Sequence, residues 1–345
     1  MRKRVGVLVA LLFYYSGLIA LSRWLMQRSG KRLIILNYHR ASGGDLQRHL
    51  LYLRRHYRMM HLQEALEELY QPRAERRDNK DRRTLLVLTF DDGYHDNYTH
   101  AFVLARKLEV PITIFLIPGY VESGDYFWWG EGERMVQRAT EGVVTIDGQV
   151  YDLHHQQERS ALSQLIDTRL RHAHSVAERE TRLKEFRRML GVPTEVLPEE
   201  ESNRPLTWHE IAEMSKSGYV SFGAHTMHHP ILAYLDDPAE IRSEVEECGH
   251  ALERRLDHQV CTFAYPVGRA EHIGDVAIQA VKDAGYTWAV TTSHAVNTPE
   301  SDPLLLGRVL GDVSRHWLVM AAETSGIWYV FAPIWKLILG KGESA

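Results

Sequence analysis

The stretch "VLTFDDGYHDNY" (Val87–Tyr98) sets two carboxylates, Asp91 and Asp92, side by side between an apolar run and a glycine. Adjacent like charges repel, and burial penalises both. Asp-Gly is also ordinary turn chemistry, so the pair needs partners elsewhere in the chain before it implies a reaction. A second stretch, "HTMHH", offers His225 and His229 four residues apart. On a turn of helix that spacing would bring both rings to one side. Two histidines and one carboxylate form a catalytic metal set that leaves coordination positions open for water and substrate. One aspartate would then bind the cation. The other would remain as a base, because a neighbouring dication offsets the repulsion between them.

These residues lie far apart in the chain, so the elements between them must bring them together. Apolar runs "RLIILNY", "TLLVLTF", "ITIFLI", "YVSFGA", "VCTFAYP" and "YTWAVTT" alternate with helical patterns such as "DLQRHLLYLRRHY" and "PAEIRSEVEECGHALERRL". Continuous rather than alternating apolar strands predict a parallel sheet with both faces covered by helices. The expected class is α/β, a (β/α) barrel of irregular or incomplete form, with an open doubly wound sheet as the alternative. The polar residues favour the barrel. His39, the Asp91–Asp92 pair, His225, Tyr265 and His294 each follow or close an apolar strand, and in such architectures the carboxyl ends of strands share the face on which active sites are built. Other histidines, among them His95, His100, His154, His155, His172 and His174, lack that placement and read as solvated or structural.

Between about residues 118 and 205 the rhythm breaks. The aromatic "YFWWGEGERM", a hairpin pattern in "TEGVVTIDGQVYDL" and one long charged helix ending at Gly191 and Pro193 read as an insertion. The alternation resumes with Thr207 and Glu210, a capping-box pattern. The 345 residues are 44% hydrophobic and 25% charged with a net charge of −4, which gives no argument for a nucleic-acid partner. Two cysteines, Cys248 and Cys261, allow at most one disulfide, and no CxxC pair suggests a sulfur-ligated metal. The N-terminus carries an uncharged run from Val5 to Ser22 with basic residues on both sides. It is expected to be a retained membrane-anchor helix, the alternative being an apolar helix packed on the protein itself. The domain plan is therefore an anchor and basic flank over 1–31, a catalytic domain over 32–312 holding the insertion, and an apolar, aromatic tail over 313–345.

"TFDDG", "HTMHH" and "FAYPVG", in this order on βα units, resemble the motifs of the polysaccharide deacetylases, carbohydrate esterase family 4, and "ILNYHR" resembles the opening strand of their exopolysaccharide-associated members. The resemblance implies Asp91 as general base and Asp92, His225 and His229 as ligands of a divalent metal, expected to be zinc, with His228 not a ligand. It implies hydrolysis of N-acetyl groups on N-acetylhexosamine units of a polysaccharide or lipid-linked glycan. Asp91 would deprotonate a water acidified by the cation, and the backbone N–H of Tyr265 would help to stabilise the oxyanion. The chain departs from the family twice. Ala264 stands where many members carry the arginine that orients the base, with Arg269 as a possible substitute, and the late motif that supplies the acid is poorly matched. His39 is favoured as that acid over His294. The same chemistry would serve an O-acetyl ester or another amide. A catalytically silent carbohydrate-binding protein is the reading from a different class, and the complete ligand set argues against it. The expected setting is the bacterial inner membrane, with the catalytic domain on the outer, periplasmic side and an acetylated polysaccharide or oligosaccharide as substrate.

Overall fold

The computed structural model describes residues 2–71, 81–193 and 198–327. In chain order the strands are β1 (Leu33–Tyr38), β2 (Arg58–Met59), β3 (Leu85–Phe90), β4 (Ile112–Leu116), β5 (Val143–Ile146), β6 (Gln149–Asp152), β7 (Val220–Ala224), β8 (Thr262–Ala264), β9 (Trp288–Val290) and β10 (Val309–Leu310). The helices are α1 (Arg2–Tyr15), α2 (Leu18–Arg28), α3 (Leu46–His56), α4 (Leu62–Tyr70), α5 (Val103–Leu108), α6 (Pro118–Ser123), α7 (Glu131–Gln137), α8 (Gln156–Arg171), α9 (Val176–Met189), α10 (Trp208–Lys216), α11 (Pro238–Leu256), α12 (Ala270–Ile273), α13 (Asp275–Asp283) and α14 (Trp317–Thr324).

The main sheet runs β10-β1-β3-β4-β7-β8-β9, with β2 also paired to β3, and every pairing in it is parallel. The chain between β9 and β10 returns along this sheet: Leu306 bridges Val290 in parallel, and β10 then pairs with β1. The strands therefore follow one another round an irregular (β/α) barrel whose last contact is a single bridge. β1, β3 and β4 are buried at every position, because helices cover one face and the barrel interior fills the other. The covering helices show the corresponding apolar stripe: α3 buries Leu46, Leu50 and Leu53, which share one face of a helix.

Local signals set the ends. Pro238 opens α11 while Asp237 accepts from the N–H of Ala239. The Thr207–Glu210 box opens α10 with both reciprocal bonds formed. The insertion holds the predicted hairpin, β5 against β6, and a core of its own in which Leu162, Ile166, Phe186, Met135 and Trp128 pack together. Its charged segment is two helices rather than one. The chain breaks at His172–Ser175, where Ser175 caps α9 by accepting from the N–H of Glu178 at 3.1 Å.

The N-terminus also differs from expectation. Among the described residues no single helix is long and apolar enough to cross a membrane; α1 and α2 pass that test only as a pair, bent by 73°. Gly17, at φ 79°, makes the bend. The pair packs on α14: the Tyr14 and Trp317 rings meet edge to face at 5.2 Å, and Ser22 donates to the carbonyl of Ser325 at 3.0 Å. Leu8, Leu12, Tyr15, Leu21 and Trp24 stay exposed. The apolar tail from residue 328 onward lies outside the described residues.

Candidate metal centre and active site

The two aspartates sit on either side of a break in the chain. Asp91 still belongs to the ladder, its N–H donating to the carbonyl of Tyr38 at 2.9 Å. Asp92 turns into the left-handed region at φ 72°, and Gly93 follows with the same φ. A Cβ on Gly93 would come within 2.8 Å of Leu116, so the turn that separates the carboxylates requires glycine there.

His225 extends β7, its N–H donating to the carbonyl of Leu116 at 2.9 Å. The turn of helix expected after it is absent. Thr226 (φ 62°) and His229 (φ 55°) instead curl the loop through left-handed conformations, and Thr226 Oγ1 accepts the N–H of His229 at 2.9 Å. The rings of His225 and His229 thereby meet with centroids 4.8 Å apart.

Across the barrel mouth Asp92 faces both rings. Its Oδ1 lies 3.5 Å from Nε2 of His225 and 3.7 Å from Nε2 of His229. That buried oxygen has no hydrogen-bond partner among the described residues, and one ligand atom from each of the three residues falls within 4.8 Å of the others. His225 Nδ1 donates to the carbonyl of Ala264 at 2.6 Å, which leaves Nε2 bare toward Asp92, the tautomer a metal ligand needs. Burial would lower the pKa of His225, but Asp92 and Asp91 outweigh it and raise the pKa; the pocket favours a positive charge at this point. Burial, then His225 and Arg179, hold the pKa of His229 well below its ordinary value, so that ring is neutral. An orphaned buried carboxylate oxygen with two imidazole nitrogens beside it fits a divalent cation.

Asp91 is oriented by a residue that the sequence reading did not select. Arg308 grips it with a two-pronged contact, 2.7 Å to Oδ1 and 2.8 Å to Oδ2, while its Nε donates to the carbonyl of Thr291 at 2.8 Å. Burial would raise the pKa of Asp91, but Arg308 and then His225 bring it down to about 2. Arg269 does not take this part. It is exposed, 4.0 Å from Glu271, on the loop before α12. The signal in the sequence was a lone cation inside "LLLGRVL", a run otherwise suited to a buried strand.

His39 Nε2 stands 3.9 Å from Asp91 Oδ2, with the side chain 45% exposed. His294 lies in the loop after β9, and its partial burial lowers its pKa. Tyr265 closes β8, but its N–H donates to the carbonyl of Val290 at 3.2 Å. As an oxyanion donor it would first have to leave that partner, since a strand-end N–H beside another strand is taken up by the ladder. His228 turns away from the ligand set, with Nδ1 2.7 Å from Oε1 of buried Glu244.

The insertion forms one wall of the site. Trp128 Nε1 donates to the carbonyl of His229 at 2.9 Å, and Arg179 donates to the carbonyls of His228 at 2.8 Å and His229 at 3.3 Å. Tyr126, Phe127 and Trp128 are buried, while Trp129 is half-buried with its ring 4.3 Å from that of His229. At its exit the insertion pairs with the aspartate loop, Leu206 donating to the carbonyl of Gly93 at 2.8 Å.

An irregular parallel βα barrel with a candidate Asp-His-His cation site and a second carboxylate beside it, at the carboxyl ends of its strands, is the architecture of a hydrolase. The polysaccharide deacetylase family profile matches residues 78–289, and the chain belongs to that family. Its members are hydrolases of C–N amide bonds. The chain is 28% identical over 297 residues to YxkH of Bacillus subtilis (strain 168), a protein assigned by name to the polysaccharide deacetylases, covering 84% of this chain and 74% of that one. Two solved structures share the fold. The Streptococcus pyogenes deacetylase PplD in complex with acetate superposes with a TM-score of 0.53 at 18% identity, over 85% of this chain and 99% of that one. IcaB from Ammonifex degensii gives 0.50 at 21% identity, over 86% and 98%.

Proposed function

We propose that the chain removes N-acetyl groups from N-acetylhexosamine units of a polysaccharide or lipid-linked glycan, with zinc held by Asp92, His225 and His229. The observation that carries this reading is the pairing of an orphaned, cation-ready Asp92 with a second carboxylate, Asp91, locked in place by Arg308. When bound, the cation supplies Lewis acidity that acidifies a water and polarises the amide carbonyl. Asp91 accepts the proton of the attacking water. Against burial, Arg308 brings its pKa down to about 2, which keeps the carboxylate ionised and able to take up a proton. His39, half-exposed and beside Asp91, donates a proton to the leaving nitrogen, which could not depart as an amide anion. Acetate and a free amine result. Trp129, next to His229, offers an aromatic face to a sugar ring.

Acetate release from N-acetylated and O-acetylated oligosaccharides, with and without a chelator, tests this reading. Chelator-sensitive release from the N-acetylated set alone is the expected result. Release from the O-acetylated set alone would reassign the bond, and undiminished release in chelator would remove the metal.

The proposal also seats the chain at a bacterial inner membrane with the barrel on the outer side. The exposed side chains of Leu8, Leu12, Tyr15, Leu21 and Trp24 support this, because an apolar face flanked by basic residues suits a lipid interface. Co-sedimentation with anionic vesicles, abolished by Leu12→Glu, is the expected outcome; a chain that stays in the supernatant would end this part of the proposal.

A further inference from the structure

The loop carrying His229 is held in a strained conformation partly by groups that are not part of the barrel. Left-handed backbone at a non-glycine residue is strained and persists only where its surroundings hold it. His229 adopts it at φ 55°, and Pro230 follows directly, although a residue before proline is biased toward extended backbone. The consecutive carbonyls of His228 and His229 therefore fall outside any strand or helix and need donors from elsewhere. The insertion supplies them. Arg179, buried on α9, forks across both carbonyls, and the indole N–H of Trp128 reaches the second. Arg179 also lies over the Trp128 ring, 5.5 Å from its centroid. Among the described residues its ion-pair contact is with Glu180, 3.7 Å from Nε, while both terminal nitrogens of the buried guanidinium go to backbone oxygens.

We propose that Arg179 and Trp128 are positioning residues of the metal centre: by holding the two carbonyls they fix the left-handed turn that aims His229 at Asp92. The insertion is then a working part of the site and not an appendage beside it. The inference rests on the metal reading above, since it concerns how one ligand of that cation is aimed. The barrel holds the N–H side of the turn, Glu244 of α11 accepting from the N–H of His228 at 2.8 Å and Thr226 from that of His229, while among the described residues the donors to the two carbonyls come from the insertion.

The test measures zinc affinity of the full chain by competition with a chromophoric chelator, together with the visible spectrum of the Co2+-substituted protein. Trp128→Phe keeps the ring and removes the donor; Arg179→Lys keeps the charge and removes the fork; Arg179→Met removes both. Arg187→Gln is the control, because it breaks the insertion's pairing with buried Glu131 without touching the loop. Losing an outer partner of a metal ligand typically weakens binding about 10–100-fold. That loss, with a changed Co2+ spectrum, is expected for the first three variants and not for Arg187→Gln. If Arg179→Met does not fold, Trp128→Phe carries the test. Unchanged affinity in Trp128→Phe and Arg179→Lys, or an equal loss in Arg187→Gln, overturns the proposal. A wild-type chain that binds no zinc would instead defeat the metal reading itself.

Discussion

The barrel face and the insertion build the same site in different ways. The barrel contributes the carboxylates and imidazoles of the candidate centre, Asp91, Asp92, His225 and His229, each at or just past a strand end. The insertion contributes buttresses, Arg179 and Trp128, which contact backbone carbonyls rather than the ligand atoms. A strand end dictates where its side chain goes, because the ladder fixes direction and alternation sets the face. A helix in an insertion dictates nothing about the site until its own core has packed. The difference shows how a single fold can keep its chemistry in the sheet and its fine geometry in a region with a separate hydrophobic core.

Several substitutions would break or sharpen this contrast. The largest effect belongs to the barrel face. Asp91→Asn removes the base while leaving the Asp92, His225 and His229 set in place, so kcat is expected to fall about 10²–10⁴-fold with metal content unchanged by elemental analysis. Loss of metal in that variant would show that the two carboxylates do not have separate roles. Next is Arg308→Ala, which leaves a buried carboxylate unpaired. Breaking such a pair costs about 3–5 kcal/mol, to be read by denaturant unfolding, and Arg308→Lys should recover only part because it cannot match both oxygens.

Leu162→Ala, in the core of the insertion, is expected to cost about 2–5 kcal/mol. The informative readout is where the loss appears. Hydrogen exchange should rise over α7, α8 and α9 while the barrel strands stay protected; uniform exposure would mean that the two regions unfold as one.

The smallest effect is a pH dependence confined to the barrel side. His49 is buried, with Nδ1 3.0 Å from the Tyr38 hydroxyl and Nε2 2.9 Å from the Arg315 carbonyl, and burial lowers its pKa. A histidine whose folded pKa is depressed binds fewer protons folded than unfolded, so its stabilisation is present above its ordinary pKa of about 6.5 and is lost as pH falls below it. The melting temperature of the wild type should drop on acidification from pH 7 to 5, and His49→Gln should flatten that slope. An identical slope in the variant would assign the acid sensitivity to other groups.

Much of the site was legible because strand ends are written locally. "TFDDG" and "HTMHH" each combine a strand signal with its terminating residues, so the candidate Asp92, His225 and His229 cluster is legible in the sequence alone. The turn joining His225 to His229 is not legible, since four-residue spacing suits a helical turn equally well and the left-handed residues Thr226 and His229 carry no signal of their own. Arg308 was missed for another reason. Ala264 in the third motif drew attention to the nearby Arg269, whereas the guanidinium that pairs with Asp91 arrives from the closing segment of the barrel. Among the basic residues of "VAERETRLKEFRRM", Arg179 looks like any other, and only packing decides that it is the buried one.

By itself the chain determined which residue types end which strands, because apolar runs, glycine turns and helix caps act over a few neighbours. It thereby determined the barrel and the candidate Asp92, His225 and His229 set that the fold brings together. The tertiary structure alone decided which arginine meets Asp91, which tryptophan and arginine hold the His228 and His229 carbonyls, and that the N-terminal apolar run folds as a bent pair against α14. Those contacts join residues far apart in the chain, and their partners are chosen by the geometry of ring closure and core packing rather than by any local preference.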